Sequence, residues 1–209
     1  MQRRDERLAG LVLAAGRSSR FGSDKALANF GGRPLLEHAV AALAALTPRI
    51  AVSVRKASQA EARAQSLGLA IVHDRDEAVI GPLAGVLSGL IWAQSIGARQ
   101  IISLPCDTVL VPERALEDLL RAAGENGAAY ILTGRGAESL CAVWPVAGAK
   151  VLDRALRDGA HPPVREVLLA LGAAAMPVGG DDVFLNVNRP SDLEAAEAIL
   201  RARTARDKR

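Results

Sequence analysis

The sequence predicts a three-layer α/β fold in which helices cover both faces of a mostly parallel, doubly wound sheet. Apolar segments of strand length alternate with segments of helical periodicity, and the joints between them are short. Hydrophobic residues make up 50% of the 209 residues, but aromatic residues only 3%. A core of Ala, Leu, Val and Ile suits helices on a parallel sheet better than a β-sandwich. We expect one domain, residues 1–209, with a basic tail at about 200–209.

The first half of the chain alternates strand and helix regularly. Residues 8–14 form a continuous apolar run, as expected of a strand buried on both faces. Three glycines spaced four apart, Gly81, Gly85 and Gly89, predict a helix that approaches the sheet closely. The expected strands are 8–14, 50–54, 69–73 and 100–104, and the expected helices are 34–46, 58–67, 81–95 and 112–126.

The second half is less regular. Residues 128–132 and 140–144 are predicted strands, joined by the loop 133–138 as a hairpin or as a strand pair near the site. Helices are expected at 146–157 and 164–171, and a short strand at 184–187. Ser191 is predicted to cap the last helix, with Glu194 at the capping-box position.

Charge and cysteine content exclude several classes of protein. The net charge is only +3, from 26 basic and 23 acidic residues, too balanced to predict a nucleic-acid partner. The short apolar run after Met1 lacks a convincing signal-peptide cleavage site, and no segment approaches the ~20 apolar residues of a membrane span. Two cysteines give neither a disulfide framework nor metal-ligand spacing. We therefore expect a cytoplasmic protein without a membrane partner.

The loop after the first strand is the strongest functional signal. Gly16 and Gly22 bracket a cationic stretch that includes Arg20, and Asp24-Lys25 follows. The glycines permit close backbone approach to an anion, and the cations would attract one. The loop matches neither the dinucleotide-binding fingerprint nor the P-loop. A solvated surface turn is the alternative, but ligands of open α/β sheets bind at such strand ends.

Carboxylates and amides at later strand ends are the second signal. Asp107 and Asp74 each follow an apolar strand, and a carboxylate at the position of Asp107 could hold Mg²⁺ that bridges phosphate oxygens. A turn-capping role for Asp107 is the alternative. Asn186 and Asn188 lie on the same side of an extended segment, where they could bind a ligand or simply form a turn before the last helix.

No nucleophile is indicated. His38, His73 and His161 are scattered, and neither Cys106 nor Cys141 has a histidine partner at a suggestive spacing. Covalent catalysis is therefore not expected.

Four segments together resemble the MobA-like nucleotidyltransferases, and among them are most similar to the molybdenum cofactor guanylyltransferases. They are LAAGRSSRFGSDKAL at 13–27, GPLAGV at 81–86, LPCDT at 104–108 and NVNRPSDL at 186–193. The resemblance implies a Rossmann-like nucleotidyltransferase fold, Mg²⁺, and transfer of GMP from GTP to molybdopterin that carries molybdenum. Molybdoenzyme apo-proteins and other cofactor-biosynthesis proteins are the further partners it implies.

The resemblance also implies roles for individual residues. The catalytic residues would be Arg20, Lys25 and Asp107. Asp107 would hold the metal, and the two cations would contact phosphates. The nucleotide would be bound by Leu13, Ala14, Ala15, Gly16, Lys25, Asp74 and Asp107, and the pterin by Asn186 and Asn188.

The chain departs from the family pattern at three places. Ser53 and Arg55 stand near a position where the family carries Asn, and Glu138-Ser139 stands where it often has His-Pro. Ala15 replaces a usual Gly, a form commoner in the cytidylyltransferase relatives. A molybdopterin cytidylyltransferase that uses CTP therefore remains an alternative, as does a non-catalytic carrier of nucleotide and pterin.

Overall fold

The computed structural model describes residues 7–16, 24–73, 81–157, 160–180 and 182–207, which fold around a seven-stranded sheet. Among these strands β9 alone runs antiparallel to its neighbours. The predicted three-layer, mostly parallel α/β fold is confirmed. In sheet order the strands are β10 (Ala174–Pro177), β8 (Ala129–Thr133), β9 (Gly136–Pro145), β6 (Gln100–Pro105), β1 (Leu8–Leu13), β4 (Ile50–Ser53) and β5 (Ala70–Val72).

Two short antiparallel pairs lie outside the main sheet. β2 (Asn29–Phe30) and β3 (Arg33–Pro34) form a hairpin whose two turn residues, Gly31 and Gly32, have φ of 56° and 89°, as a two-residue hairpin turn requires. β7 (Thr108–Val109) pairs with β11 (Leu185–Asn186), which brings the end of the chain back to the strand end at Asp107.

Seven helices are described, and six of them pack on the main sheet in two layers. Strand β1 shows why two layers form: Leu8 and Val12 pack with Leu43 on one face, and Leu11 packs with Leu90 on the other. The helices are α1 (Leu35–Ala44), α2 (Gln59–Ser66) and α4 (Glu113–Ala123) on the first face, α3 (Pro82–Ser95), α5 (Ala149–Ala155) and α6 (Val164–Ala170) on the second, and α7 (Pro190–Asp207), which packs on the β2–β3 hairpin and β7.

Helix α3 packs very closely on β1 and β4, as the glycine spacing predicts. A Cβ atom at Gly85 would lie 2.5 Å from Ser53 Oγ, and one at Gly89 would overlap the side chain of Leu11. Any larger residue at these two positions would force a side chain, the helix or the strand to shift, so the two glycines fix the distance of α3 from the strands that end at the site.

The structure corrects the sequence predictions at several elements. Residues 133–138 are not one loop, since β9 begins at Gly136 and is ten residues long. The prediction that Ser191 caps the last helix is wrong: α7 begins at Pro190, and the Asp192 carboxylate accepts hydrogen bonds from the backbone N–H groups of Asn188 and Arg189. The basic tail is helical as far as Asp207. The strands β2, β3, β7 and β10 were not predicted.

In the part of the chain that is described, no helix combines the length and the apolar character that a membrane span requires.

Candidate active site

A cavity of about 1050 Å³ opens at the edge of the sheet where β1, β4, β5 and β6 end. These four strands are parallel, so the segments that follow them converge at this edge. The beginning of β9, which runs the opposite way, and the segment that includes β11 complete the wall. Eight predicted site residues line the cavity: Leu13, Ala14, Ala15, Gly16, Lys25, Asp107, Asn186 and Asn188. The other two, Arg20 and Asp74, lie outside the described residues.

Lys25 lies in the cavity wall and contacts two of the other predicted site residues. Its Nζ donates to Asp107 Oδ2 at 2.6 Å and to Asn188 Oδ1 at 3.1 Å. The Lys25 and Asp107 side chains are 15% and 28% exposed, so water screens this ion pair only in part. Three residues that are remote in sequence are thus brought to one point of the cavity.

Asp24 holds Lys25 in place, a role that the sequence did not reveal. Its Oδ1 accepts from the backbone N–H of Ala26 at 3.3 Å and caps the single 3₁₀ turn Lys25–Leu27. Its Oδ2 accepts from the backbone N–H of Ala60 in α2 at 3.0 Å. Both carboxylate oxygens are used to anchor the turn, so we regard Asp24 as a positioning residue.

Asn186 is held from both ends of its side-chain amide. Thr108 Oγ1 donates to Asn186 Oδ1 at 2.9 Å, and Asn186 Nδ2 donates to Glu138 Oε2 at 2.9 Å. Because the β7–β11 pairing places Asn186 opposite Thr108, the amide is fixed beside the strand end that carries Asp107. Glu138 is a cavity residue to which the sequence assigned no role.

The wall beyond β4 contains His73, a residue without a predicted role that is held by Glu61 of α2. His73 Nε2 lies 2.6 Å from Glu61 Oε1, and Glu61 Oε2 accepts from the backbone N–H of Ala57 at 2.6 Å. Ala57 has a φ of 56°, so Glu61 fixes a strained turn and His73 together. The hydrogen bond from His73, followed by that from Ala57, lowers the pKa of Glu61 from its ordinary value.

The hydroxyl of Ser53 lies in the same wall. Ser53 is fully buried, and none of the described residues forms a hydrogen bond with its Oγ. A buried polar atom without a partner is costly, so this hydroxyl lowers the stability of the fold beside the cavity.

Both cysteines are unsuited to nucleophilic catalysis. Burial, followed by the negative charge of Asp107, raises the pKa of the Cys106 thiol, and burial followed by Glu138 raises that of Cys141. Each therefore stays protonated at neutral pH, whereas the thiolate is the reactive form. Neither cysteine is therefore a candidate nucleophile.

The donor set fits a metal that is shared with a phosphate substrate. The described residues contain no group of three or more His, Cys, Asp or Glu side chains able to hold a metal. Mg²⁺ commonly needs only one or two carboxylates and completes its shell with water and substrate phosphates. The hard carboxylate oxygens of Asp107, in a cavity wall beside Lys25, suit that arrangement.

Comparisons with known proteins identify the family of the chain. The family of the MobA-like NTP transferase domain matches residues 10–206. The chain is 39% identical over 196 residues to a molybdenum cofactor guanylyltransferase of Cereibacter sphaeroides, a match that covers 93% of this chain and 98% of the relative. It is 37% identical over 194 residues to the protein of that name from Acidiphilium cryptum, covering 91% and 94%.

A solved structure shows the same fold. It is the molybdopterin-guanine dinucleotide biosynthesis protein A of Archaeoglobus fulgidus, which superimposes with a TM-score of 0.74 at 22% identity and covers 93% of this chain and 99% of that one.

Proposed function

The chain belongs to the family of MobA-like NTP transferases, and on that premise we propose that it is a molybdenum cofactor guanylyltransferase. It transfers GMP from GTP to molybdopterin that carries molybdenum, and it releases pyrophosphate. The product is the guanine dinucleotide form of the cofactor.

The observation that carries the proposal is the meeting of Lys25, Asp107 and Asn188 in one cavity with the strand end Leu13–Gly16. A backbone rich in small residues suits a nucleotide, and the lysine suits its phosphates. The amide of Asn186 is bonded to Glu138 at the start of β9, across β6 from β1, and we assign this part of the cavity to the second substrate. The volume of about 1050 Å³ exceeds that of most sites for one small ligand.

The chemistry needs positioning more than proton transfer. An oxygen of the pterin's phosphate attacks the α-phosphorus of GTP, a new P–O bond forms, and the bond to the β-phosphate oxygen breaks to release pyrophosphate. The attacking oxygen is already anionic, so no strong general base is required. The protein must hold two anions together and offset charge as it develops.

The roles proposed for individual residues come from the family resemblance, and they fit this requirement. Lys25 contacts the phosphates, with Arg20 as a second cation, while Asp74 helps to hold the nucleotide. Leu13, Ala14, Ala15 and Gly16 line the guanine and ribose pocket. Asn186 and Asn188 bind the pterin side. For Arg20 and Asp74 the support is the sequence resemblance alone.

We propose Mg²⁺ as the metal, held by Asp107. When bound, the ion offsets phosphate charge and favours loss of pyrophosphate. Asp24 acts at a distance from this chemistry by keeping the Lys25 turn in register with α2. A cytoplasmic location fits the two cysteines, which are both free thiols.

The test is a comparison of nucleotide donors. The protein is incubated with Mg²⁺, molybdenum-loaded molybdopterin and GTP, CTP or ATP in turn, and the dinucleotide product is identified by mass. We expect the guanine dinucleotide as the main product. Reversible GTP binding without any product, unchanged in Asp107→Ala, would instead identify a carrier.

One observation favours a second donor. By the family resemblance Ala15 stands where a glycine is usual, and its methyl group would leave less space in the proposed base pocket, which favours the smaller base of CTP. If CTP gives the cytosine dinucleotide faster than GTP gives the guanine form, the protein is a molybdopterin cytidylyltransferase.

A further inference from the structure

Glu138 is a carboxylate in the cavity wall that the proposed reaction does not use. It is the third residue of β9 and is half-buried. Its Oε2 accepts from Asn186 Nδ2 at 2.9 Å. No hydrogen bond from any described residue reaches its other oxygen, Oε1.

The position of Glu138 separates it from the nucleotide half of the cavity. In the sheet, β9 and β1 lie on opposite sides of β6. The pairing of β9 with β6 begins only at Ala142, so Glu138 projects past the end of that ladder, next to Asn186. The Leu13–Gly16 segment and Ser53 belong to the other half, at the ends of β1 and β4.

A negative side chain is a poor lining for a site that binds only phosphates. A carboxylate repels phosphate groups, and Asp107 already contributes one negative charge to this cavity. The charge of Glu138 is favourable next to a cation or next to hydrogen-bond donors, and its described contact is a donor, the side-chain amide of Asn186. An ionised carboxylate is purely an acceptor with about four acceptor positions, so Asn186 leaves most of its capacity for a ligand.

We propose that the carboxylate of Glu138 recognises the 2-amino-4-oxopyrimidine edge of the pterin, a step that rests on the function proposed above. This edge presents two donors side by side, the ring N3–H and the exocyclic 2-amino group. A carboxylate matches two parallel donors, and hydrogen bonds to an ionised acceptor are the stronger kind. Asn186 holds the carboxylate in place, so Glu138 is a specificity residue for the acceptor substrate.

Guanine carries the same pair of donors, so either the pterin or the guanine base of GTP could bind the carboxylate of Glu138 in this reaction. The placement of Glu138 beside Asn186, across β6 from the nucleotide half, favours the pterin. Recognition of guanine is the competing outcome of the test.

The first experiment compares two ligands that differ at one position. 6-Hydroxymethylpterin carries the 2-amino group, and 6-hydroxymethyllumazine carries an oxo group in its place. Binding of each is measured by fluorescence to the wild type, to Glu138→Gln and to the exposed-surface control Glu117→Gln. We expect the wild type and the control to prefer the pterin roughly 10-fold or more.

In Glu138→Gln the preference should fall by a comparable factor and shift toward lumazine. The glutamine amide can accept from N3–H and donate to the 2-oxo group, which inverts the recognition pattern. If Glu138 only supported Asn186, Glu138→Gln would weaken the binding of both ligands by the same factor. An unchanged pterin-to-lumazine ratio in Glu138→Gln would overturn the proposal.

The second experiment measures turnover. Glu138→Gln should raise the KM for molybdopterin roughly 10-fold. ITP lacks the 2-amino group of guanine, so the ratio of the KM values for GTP and ITP reports on recognition of that group. This ratio should change little in Glu138→Gln, because the carboxylate is proposed to contact the pterin and not guanine. If the small pterins bind too weakly to measure, an unchanged KM for molybdopterin refutes the proposal. A collapse of the GTP-to-ITP ratio would assign Glu138 to guanine instead.

These outcomes are separable from failure of the proposed function. If the wild type makes no dinucleotide, the guanylyltransferase proposal fails, whereas the pterin and lumazine titrations still decide the role of Glu138. If the wild type makes the guanine dinucleotide and Glu138→Gln keeps the wild-type ligand preference and the wild-type KM for molybdopterin, only the inference about Glu138 fails.

Discussion

Replacing Gly89 with alanine tests the close packing of α3 on the strand that leads into the site. A Cβ at this position would lie 2.9 Å from Leu11 Cδ1 and 3.1 Å from its Cγ, and nearer still to Cδ2. Comfortable separations between such atoms are about 3.5–4.0 Å. Leu11 is fully buried in β1, so it cannot move aside into solvent and the overlap must shift the helix or the strand.

The expected loss of stability is the difference of two opposing effects. Alanine is a better helix former than glycine by about 1 kcal/mol in a helix interior. Overpacking a well-packed core costs about 1–3 kcal/mol, and contact with three atoms of one buried side chain places this site in the upper part of that range. We therefore expect a net loss of about 1–2 kcal/mol in the free energy of unfolding. The melting temperature of a chain this long should then fall by roughly 2–8 °C.

The assay is urea and thermal unfolding of Gly89→Ala beside Gly179→Ala. A Cβ at Gly179 meets nothing within 4 Å, so this control should stay within about 0.5 kcal/mol of the wild type. In a Leu11→Ala background the overlapping methyl groups are absent, and Gly89→Ala should become stabilising by about 1 kcal/mol. Stabilisation by Gly89→Ala in the otherwise unchanged protein would refute the close packing.

Three further predictions concern the core and the site. Ser103→Ala removes the oxygen to which the buried Trp144 Nε1–H donates at 2.8 Å. Urea unfolding should therefore show that the free energy of unfolding falls by about 1–3 kcal/mol, and an unchanged urea midpoint would contradict the hydrogen bond. Because the folded pKa of Glu61 is lowered from 4.5 by its hydrogen bond with His73, its stabilisation is present above that pH and is lost as the pH falls through the folded pKa. The difference in melting temperature between the wild type and Glu61→Gln should therefore become smaller as the pH falls below 4.5. A difference that does not depend on pH would argue against the hydrogen bond between Glu61 and His73. Lys25→Met should lower kcat/KM for GTP by roughly 100-fold or more while leaving the melting temperature nearly unchanged, and wild-type kinetics would exclude Lys25 from phosphate binding.

Much of the site could be predicted because parallel strands end at a common edge. Lys25 and Asp107 are 82 residues apart, yet each follows a strand of the same parallel set, so their convergence followed from the strand pattern alone. Asn186 and Asn188 could be placed on one side of the chain by the two-residue period of an extended segment.

The missed residues depend on tertiary pairing that has no local signal. Glu138 reaches the cavity because β9 begins at Gly136 and Glu138 pairs with Ile131 of β8, whereas the glycine-rich and polar sequence of residues 133–138 is typical of a loop. β10 is mostly exposed and begins with two alanines, so neither burial nor β-propensity marks it as a strand. The role of Asp24 depends on the backbone N–H of Ala60 in another segment, which sequence periodicity cannot reveal. Glu61 is the exception: its bond from Ala57 is local, and Ser58 and Glu61 have the spacing of a capping box at the start of α2.

The most direct test of the central claim follows each phosphate of GTP separately. The protein is given Mg²⁺, molybdenum-loaded molybdopterin and GTP labelled at either the α- or the γ-phosphate, and the products are separated. Transfer of GMP predicts that the α label enters the pterin product and that an equal amount of γ label leaves in pyrophosphate. A γ label on the pterin, or both labels recovered in intact GTP, would contradict guanylyl transfer at this site.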